Sequence, residues 1–378
     1  MSKTFTAIGL MSGTSMDGID LAIITTDGEQ LIERERLDHF HREFSSSDRE
    51  VLKKAVDEAK NLADRAQHPG WLATAEQVIT ERHLEFVRSI LTVFANNPQM
   101  GLDPSQIDLI GFHGQTVLHR PEQGLTVQLG DAKGLADALK LRVIADFRQA
   151  DLEAGGQGAP LVPIYHQALV QQAGLELPVA VLNVGGVANV TYIGANGELL
   201  AFDTGPGNAL INDWVSLHGA GEMDEGGKIA SKGKVKESVL AALLNNPFFS
   251  KDPPKSLDRN HFSLQLLEGM SLEWGAKTLT SFTALATSRA DFFFPAPPKK
   301  WVICGGGVHN PVLMNEFKKR LSGEVVSAGE LGWSSDFMEA EAFAYLAVRS
   351  LKGLPLTFPT TTGVAQSQTG GVLFEPQK

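Results

Sequence analysis

The chain has little of what stabilises secreted or membrane proteins. Its 378 residues include one cysteine, Cys304, so no disulfide can form within the chain and a reducing compartment is favoured. No apolar run is long enough to span a bilayer, and residues 1–3 lead into a predicted strand rather than a secretory signal. Basic residues number 33 against 44 acidic ones, and this net charge of −11 argues against nucleic-acid or anionic-membrane partners. We therefore expect a cytoplasmic protein without either partner.

Apolar residues, by contrast, are plentiful. They make up 43% of the chain and charged residues 20%, so the chain should bury a large core, and its length suggests about two to three domain-sized units. Short apolar runs predict strands, and amphipathic or capped stretches between them predict helices, of which residues 71–96 form the longest. Asp131 and Asn310 are suited to cap the helices that follow them. This alternation predicts an α/β protein.

Three glycine-containing turns, at Gly13, Gly185 and Gly305, each follow a predicted strand. The first lies between apolar runs at residues 5–10 and 19–24, which predict a β-hairpin whose loop is rich in small hydrogen-bond donors. Such a loop can cradle an anion, although its composition also fits an ordinary polar turn. Nucleotide-binding loops of the Walker A type are excluded, since residues 226–228 (GGK) lack that pattern's first glycine and its final hydroxyl residue.

The order of these turns, two hairpin loops and then a strand, a triple glycine and a helix, resembles the actin, hexokinase and Hsp70 superfamily. Longer motifs make the resemblance more specific and cover essentially the whole chain in one order. The sequence resembles the anhydro-N-acetylmuramic acid kinase family in GLMSGTSMDGID (9–20), FHGQT (112–116), ADFR (145–148), GGQGAPLVP (155–163), NVGGVANVT (183–191), FDTGPGN (202–208), PKS (254–256) and CGGGVHN (304–310). One departure is FMEAEAFAYL, where Ala340 and Glu341 replace an expected glycine and an apolar residue. We therefore take Glu339 as the acid that matches the family.

The resemblance implies a fold of two ribonuclease-H-like domains with an interdomain ATP cleft. We expect the first domain to span residues 1–145, completed by residues 354–378, and the second to span residues 146–353. It implies a kinase that uses ATP and Mg²⁺ to convert 1,6-anhydro-N-acetylmuramic acid to N-acetylmuramic acid 6-phosphate, in the recycling of cell-wall peptidoglycan. Water opens the anhydro bridge at C1 and O6 receives the phosphoryl group. The expected partners are this small-molecule sugar and a second copy of the chain in a homodimer.

The resemblance also implies roles for individual residues. Asp203 is the general base and Glu339 assists it or binds sugar hydroxyls, while His113, Arg148, Gly158 and Asn208 bind the sugar. The spacing of Asp17 and Asp20 does not decide whether they hold Mg²⁺, so the metal ligands stay open. The residues expected at the nucleotide are Gly13, Thr14, Ser15, Met16, Asp17, Gly18, Ile19, Asp20, Gly185, Gly186, Asn189, Gly305, Gly306, Gly307 and Asn310.

Several of these residues have a structural alternative. Asp203 could form an Asx turn, Arg148 an ion pair, and Glu339 a favourable contact with a helix dipole. His113 at the end of a core strand could simply be hydrogen bonded, and we expect Lys255 at the surface. Two other functions compete with the implied one: a kinase of the same fold that leaves the anhydro bridge closed, and a nonenzymatic ATP switch. The second would need a peptide-binding module or a polymer interface, and residues after Gly353 show no such addition.

Overall fold

A computed structural model describes residues 3–32 and 38–377. It divides into two compact units, the first formed by Met1–Gln172 with Phe337–Lys378 and the second by Ala173–Asp336. Within the described ranges, no helix is long and apolar enough to cross a membrane.

The strands and helices are numbered in chain order. The strands are β1 (Phe5–Ser12), β2 (Gly18–Thr26), β3 (Leu31–Ile32), β4 (Asp38–Glu43), β5 (Ile107–Arg120), β6 (Leu125–Leu129), β7 (Arg142–Ala145), β8 (Val179–Val184), β9 (Val187–Ile193), β10 (Leu199–Pro206), β11 (Lys300–Cys304), β12 (Glu324–Ser327) and β13 (Val372–Phe374). The helices are α1 (Ser46–Ala59), α2 (Gly70–Asn96), α3 (Ala132–Leu139), α4 (Gln149–Glu153), α5 (Pro163–Gln172), α6 (Ala209–Leu217), α7 (Glu237–Leu244), α8 (Leu272–Ser288), α9 (Pro311–Arg320), α10 (Met338–Leu351) and α11 (Pro359–Thr362).

Both units contain a mixed sheet with the same central order. In the first, β4, β2, β1, β5 and β7 lie side by side; β2 is antiparallel to both neighbours, and β1, β5 and β7 are parallel. In the second, β10, β9, β8, β11 and β12 repeat this order and these directions. When only these five strands of each sheet are counted along the chain, both sheets have the order third, second, first, fourth, fifth. This confirms the α/β prediction and gives each unit the ribonuclease-H-like sheet that the resemblance implies.

Helix α10 packs against the first sheet at two glycines. Gly9 and Gly111 are neighbours on β1 and β5. A Cβ atom on Gly9 would lie 1.8 Å from the carbonyl oxygen of Ala340, and one on Gly111 would lie 2.1 Å from that of Phe343. Only glycine therefore allows the helix to approach so closely, and this contact holds α10 in the first unit.

The boundaries of the units differ from those expected from the sequence. The sequence placed them after residues 145 and 353, whereas the structure places them after Gln172 and before Phe337. The physical reason is that α5 and α10 pack within the first unit, α10 against β1, β2 and β5, although both helices lie in the sequence range assigned to the second domain. Arg148, Gly158 and Glu339 consequently belong to the first unit.

Some predicted elements were wrong in detail. The sequence spacing of residues 264–289 predicts one continuous helix, but the structure interrupts it: Gly269 has a φ of +77°, and α8 starts only after Ser271, whose hydroxyl caps it. Strands β4 and β12 are not predicted from the sequence, because residues 33–60, in which β4 lies, read as a charged stretch; residues 33–37 are outside the described residues. The predicted helix caps at Asp131 and Asn310 are confirmed. The Asp131 carboxylate accepts a hydrogen bond from the Gly134 amide, and the Asn310 side chain accepts hydrogen bonds from the amides of Val312 and Leu313.

The packing of α8 against α9 in the second unit includes a buried acid. The carboxylate of Glu316 is held by Lys277 Nζ at 2.9 Å and Arg320 Nη2 at 3.1 Å, and it also accepts from the Ser281 hydroxyl. Burial opposes ionisation, but the hydrogen bond and charge of Lys277 and the charge of Arg320 outweigh it and lower the pKa of Glu316 to about 2. Because the folded pKa lies below the ordinary value of 4.5, the stabilisation is present above about pH 4.5 and is lost as the pH falls towards 2.

We expect Glu316→Gln to lower the free energy of unfolding of the second unit by about 3 kcal/mol at neutral pH, because it leaves the half-buried cations of Lys277 and Arg320 without the counter-charge of the buried acid. Urea unfolding at several pH values measures this, and the difference from the unchanged protein should shrink below about pH 4.5. Glu324→Gln, at an exposed ion pair with Lys300, is the control and should cost less than about 1 kcal/mol. Equal losses from the two substitutions would contradict the assignment.

Candidate active site

The first candidate loop, residues 13–17, joins β1 to β2. Met16 has a φ of +57°, its amide donates to the Gly13 carbonyl, and the Ser15 hydroxyl donates to Asp17 Oδ1 at 2.7 Å. Thr14, Ser15 and Asp17 are exposed. A Cβ atom on Gly13 would meet nothing closer than the Ser15 hydroxyl oxygen at 3.5 Å, so the space beside this glycine is open. A left-handed residue inside such a loop can bring successive backbone amides together into a concavity that suits an anion.

The predicted nucleotide residues that follow this loop lie in β2. Gly18 is buried, and a Cβ atom there would lie 2.4 Å from the Arg42 carbonyl oxygen, so this glycine serves strand packing. Ile19 is fully buried in the core. Asp20 is half-buried, and its Oδ1 lies 2.7 Å from His41 Nδ1. The structure therefore brings residues 13–17 to the surface as a donor-rich loop, whereas Gly18 and the Ile19 side chain are buried in the packing of the sheet.

Three of the predicted sugar-binding residues form one hydrogen-bonded group in the first unit. Arg148 donates from Nη2 to His113 Nε2 at 3.0 Å and from Nη1 to the Gly158 carbonyl at 2.8 Å. His113 Nδ1 donates to the Gly114 carbonyl at 2.7 Å, so Nε2 is the acceptor and the ring is neutral. Burial and the charge of Arg148 accordingly lower the pKa of His113 well below its usual value. Among the described residues, the charges that act on Arg148 are those of Glu339 and Asp151, and neither forms a salt bridge with it.

Glu339 lies in the first turn of α10, and its electrostatic neighbours are Arg148 and Asp20. Its side chain reaches solvent, yet surrounding protein removes enough water to raise the pKa of its carboxyl, an effect that the charge of Arg148 opposes. Glu341, two residues on, is instead buried and accepts from His39 Nε2 at 2.7 Å and the Tyr165 hydroxyl at 2.8 Å. The acid that departs from the family pattern is thus fixed in the protein, whereas Glu339, which matches the pattern, is exposed to solvent.

In the second unit, two turns are held together by backbone hydrogen bonds. The Asn208 amide donates to the Gly185 carbonyl at 2.8 Å, and the Gly207 amide donates to that of Gly186 at 2.9 Å. The Asn208 side chain donates to the Val184 carbonyl. A Cβ atom on Gly186 would have no neighbour closer than 3.7 Å, so this turn, like the first hairpin loop, leaves open space beside a glycine.

The triple glycine after β11 contains glycines of two kinds. Cβ atoms on Gly305 and Gly307 would lie 2.2 Å from Asn183 Oδ1 and 2.4 Å from Val184 Cγ1, so both are required by packing. A Cβ atom on Gly306 would meet only the Asn208 side chain, at 4.0 Å, so the space beside this glycine is open. The side chain of Asn310 is occupied as the cap of α9. Only Gly306 among these four therefore has the open surround that close approach of a ligand requires.

Asp203 lies on β10 opposite Asn189 of β9. Its Oδ2 accepts from the Leu257 amide at 2.7 Å, and its own amide donates to the Lys255 carbonyl at 2.9 Å. Burial raises the pKa of the Asp203 carboxyl to about 7, against the hydrogen bond from Leu257, which lowers it. The Asx turn considered from the sequence would need an amide donor close to Asp203 in the chain. The amide that donates to Oδ2 instead belongs to Leu257, 54 residues away. A carboxyl anchored at one oxygen with a pKa near neutrality is suited to accept a proton.

Lys255 was expected at the surface and is buried, with 7% of its surface exposed. Sequence reasoning missed this because its neighbours, among them Phe202 and Phe293, come from distant parts of the chain. The PKS motif was a signal, but its local composition is that of a polar loop.

Comparison with known proteins agrees with these motifs. The anhydro-N-acetylmuramic acid kinase family model matches residues 5–376. The chain belongs to the anhydro-N-acetylmuramic acid kinase family. Proteins of that name from Methylobacterium nodulans and Rhodopseudomonas palustris are 52% and 49% identical to it, over 98% of this chain and 100% and 99% of their own lengths. As a member of this family, the chain is a kinase that uses ATP.

Among solved structures, component A of (R)-2-hydroxyglutaryl-CoA dehydratase from Acidaminococcus fermentans aligns with 91% of this chain and 99% of its own. The sequence identity is 12% and the TM-score 0.43. The ribonuclease-H-like architecture of this family member is defined by the strand order of its own two sheets.

Proposed function

We propose that this kinase converts 1,6-anhydro-N-acetylmuramic acid, ATP and water to N-acetylmuramic acid 6-phosphate and ADP, in cytoplasmic recycling of the cell wall. The observation that carries the proposal beyond the family assignment is the environment of Asp203. Phosphoryl transfer alone needs positioning and charge neutralisation rather than a strong base, whereas attack of water on a sugar carbon needs a carboxylate to take its proton. Asp203 is such a carboxyl, with one oxygen anchored by the Leu257 amide and a pKa near 7.

The reaction balances with Asp203 as the base. Asp203 takes a proton from water as the water oxygen bonds to C1 of the sugar, and the bond between C1 and O6 breaks. O6 then bonds to the γ-phosphorus of ATP as the bond to the β-γ bridging oxygen breaks and ADP leaves. Because the departing O6 is also the phosphoryl acceptor, hydrolysis and transfer share one group, and each step assists the other.

The group around Arg148 is suited to the carboxylate of the sugar's lactyl substituent. Its guanidinium is a permanent cation without an ion pair in the described residues, and His113 and Gly158 fix its orientation. A planar guanidinium can hold a carboxylate with two parallel hydrogen bonds. Glu339, close enough to sense the charge of Arg148, is the residue we assign to the sugar hydroxyls. Asn208, on the turn that is hydrogen bonded to Gly185, is assigned to the sugar as well.

The two open-sided hairpin turns at Gly13 and Gly186, with Gly306, are assigned to the phosphates of ATP. When bound, Mg²⁺ would neutralise charge on the transferred phosphoryl group. In the described ranges no group of three or more acidic, histidine or cysteine side chains could hold a metal ion by itself. This fits Mg²⁺ bound mainly through ATP phosphates, which needs one or two protein carboxylates, and Asp17 and Asp20 are the residues we assign to that role. The homodimer remains part of the proposal, and sedimentation of the purified chain tests it.

The pKa of Asp203 gives the proposal a pH dependence. Only the ionised carboxylate accepts a proton, so kcat/KM for the sugar, which reports the pKa of the free enzyme, should rise with pH to a plateau above about pH 7 and fall about tenfold per pH unit well below it. The measurement is kcat/KM for the anhydro sugar between about pH 5 and about pH 9 at saturating ATP and Mg²⁺, since Mg²⁺ keeps the γ-phosphate of ATP ionised. If the activity instead fell only near pH 4, the range of an ordinary aspartate, the raised pKa of Asp203 would not control the reaction.

A further inference from the structure

The ammonium group of Lys255 is buried in a cage of phenyl rings. Its Nζ lies 4.2 Å from the ring centroid of Phe293, 4.9 Å from that of Phe248 and 5.6 Å from that of Phe202. Nζ also donates to the Phe248 carbonyl at 3.3 Å. The side chain forms no ion pair within the described part of the chain, so the rings and one carbonyl are what replace its water.

Such a burial is costly, because an ammonium loses its hydration and receives only partial compensation from ring faces. The cost is visible in the ionisation of the group: burial lowers the pKa of Lys255 to about 8, with Asp252 opposing this shift and Lys251 adding to it. An apolar side chain of similar length would fill the same space without the cost. Retaining a cation here therefore calls for a role other than packing.

The cage connects directly to Asp203. Phe202, one wall of the cage, precedes Asp203 on β10, so the ammonium contacts the strand that carries the acid. The Lys255 carbonyl accepts from the Asp203 amide at 2.9 Å. Two residues on, the Leu257 amide donates to Asp203 Oδ2 at 2.7 Å. The segment 255–257 thus holds the backbone and one carboxylate oxygen of Asp203, and the Lys255 side chain anchors that segment.

We propose that Lys255 is a positioning residue for Asp203: by docking its ammonium among Phe202, Phe248 and Phe293, it fixes the segment whose amide orients the carboxylate towards the attacking water. The inference rests on the proposed role of Asp203 as the base. Without the docked cation, the segment is free to shift and the hydrogen bond from Leu257 weakens. The carboxylate then loses both its orientation and a donor that favours its ionised form.

The test compares four variants with the unchanged enzyme. Lys255→Met keeps a long apolar stem without the charge, Lys255→Arg restores a cation that binds ring faces, and Phe293→Leu removes the closest ring while leaving Lys255 in place. Lys234→Met removes an exposed lysine whose charge is not among those acting on Lys255 and is the control. For each variant, kcat, the KM values for ATP and the anhydro sugar, and the pH dependence of kcat/KM for the sugar are measured on the folded fraction.

We expect Lys255→Met to lower kcat by at least about tenfold, since small displacements of a catalytic group are costly, with KM values changed less than about threefold. The acid limb of its pH profile should move to higher pH, because the Asp203 carboxylate loses stabilisation. Phe293→Leu should act in the same direction, Lys255→Arg should recover part of kcat, and Lys234→Met should change neither quantity. Phe293→Leu also keeps the proposal testable if Lys255→Met does not fold.

The proposal is overturned if Lys255→Met and Phe293→Leu unfold at lower temperature yet keep an unchanged kcat and acid limb, because Lys255 is then a structural residue alone. Asp203→Asn, assayed in parallel, separates this failure from that of the proposed base. An inactive Asp203→Asn beside a normal Lys255→Met rejects the positioning role only, whereas an active Asp203→Asn rejects the base itself.

Discussion

Asparagine in place of Asp203 should reduce turnover of the anhydro sugar by on the order of a hundredfold to ten-thousandfold, the usual cost of removing a general base. The asparagine carbonyl oxygen can still accept the hydrogen bond from Leu257, so the loop geometry should persist. It cannot accept the proton of water at neutral pH. If bridge opening and phosphoryl transfer are coupled, the variant should bind ATP and sugar and form almost no product, which turnover assays beside binding titrations will show.

The control for this substitution is Asp258→Asn, at an exposed position near the same segment, which should leave turnover unchanged. Near-normal turnover in Asp203→Asn would mean that another carboxylate takes the proton, and Glu339 would be tested next. A product that is phosphorylated while the bridge stays closed would instead limit Asp203 to the hydrolytic step.

Valine at Gly186 should weaken ATP binding at least tenfold, which corresponds to about 1.4 kcal/mol. A Cβ atom at Gly186 has no protein neighbour within 3.7 Å, so the added side chain should leave the fold intact and project into the space assigned to phosphate. Gly13→Val should behave alike in the first unit, because its surround is equally open. Calorimetric titration with ATP measures both affinities.

Gly329→Val is the matched control, since a Cβ atom there also meets nothing closer than 4.0 Å. Its ATP affinity should equal that of the unchanged protein. Unchanged affinity in both folded variants, Gly13→Val and Gly186→Val, would remove these turns from the nucleotide site.

Local signals in the sequence predicted local structure well. The caps by Asp131 and Asn310 were correct because each is formed with residues two or three positions away. The strand–turn–strand pattern likewise located the loops at Gly13 and Gly186, whose strands are adjacent in the chain. The family motifs singled out His113, Arg148 and Gly158, which the structure brings into one hydrogen-bonded group.

What the sequence could not predict depends on distant contacts. Lys255 is buried by phenylalanines at positions 202, 248 and 293, whose meeting no local pattern encodes. The boundary before Phe337 follows from the packing of α10 on Gly9 and Gly111, more than two hundred residues earlier in the chain. The same holds for Glu341, whose burial depends on His39 and Tyr165. Long-range packing therefore decided the boundaries of the units and the surroundings of the acids.

The most direct test of the coupled reaction is the fate of solvent oxygen. The protein is incubated with ATP, Mg²⁺ and 1,6-anhydro-N-acetylmuramic acid in water enriched in oxygen-18, and the early product is analysed by mass spectrometry. Finished product exposed to the same water corrects for exchange at C1. The account predicts a sugar 6-phosphate with the bridge open, labelled oxygen at C1 and unlabelled oxygen between C6 and phosphorus. A phosphorylated sugar with its bridge intact, or label in the phosphoryl group, would contradict it.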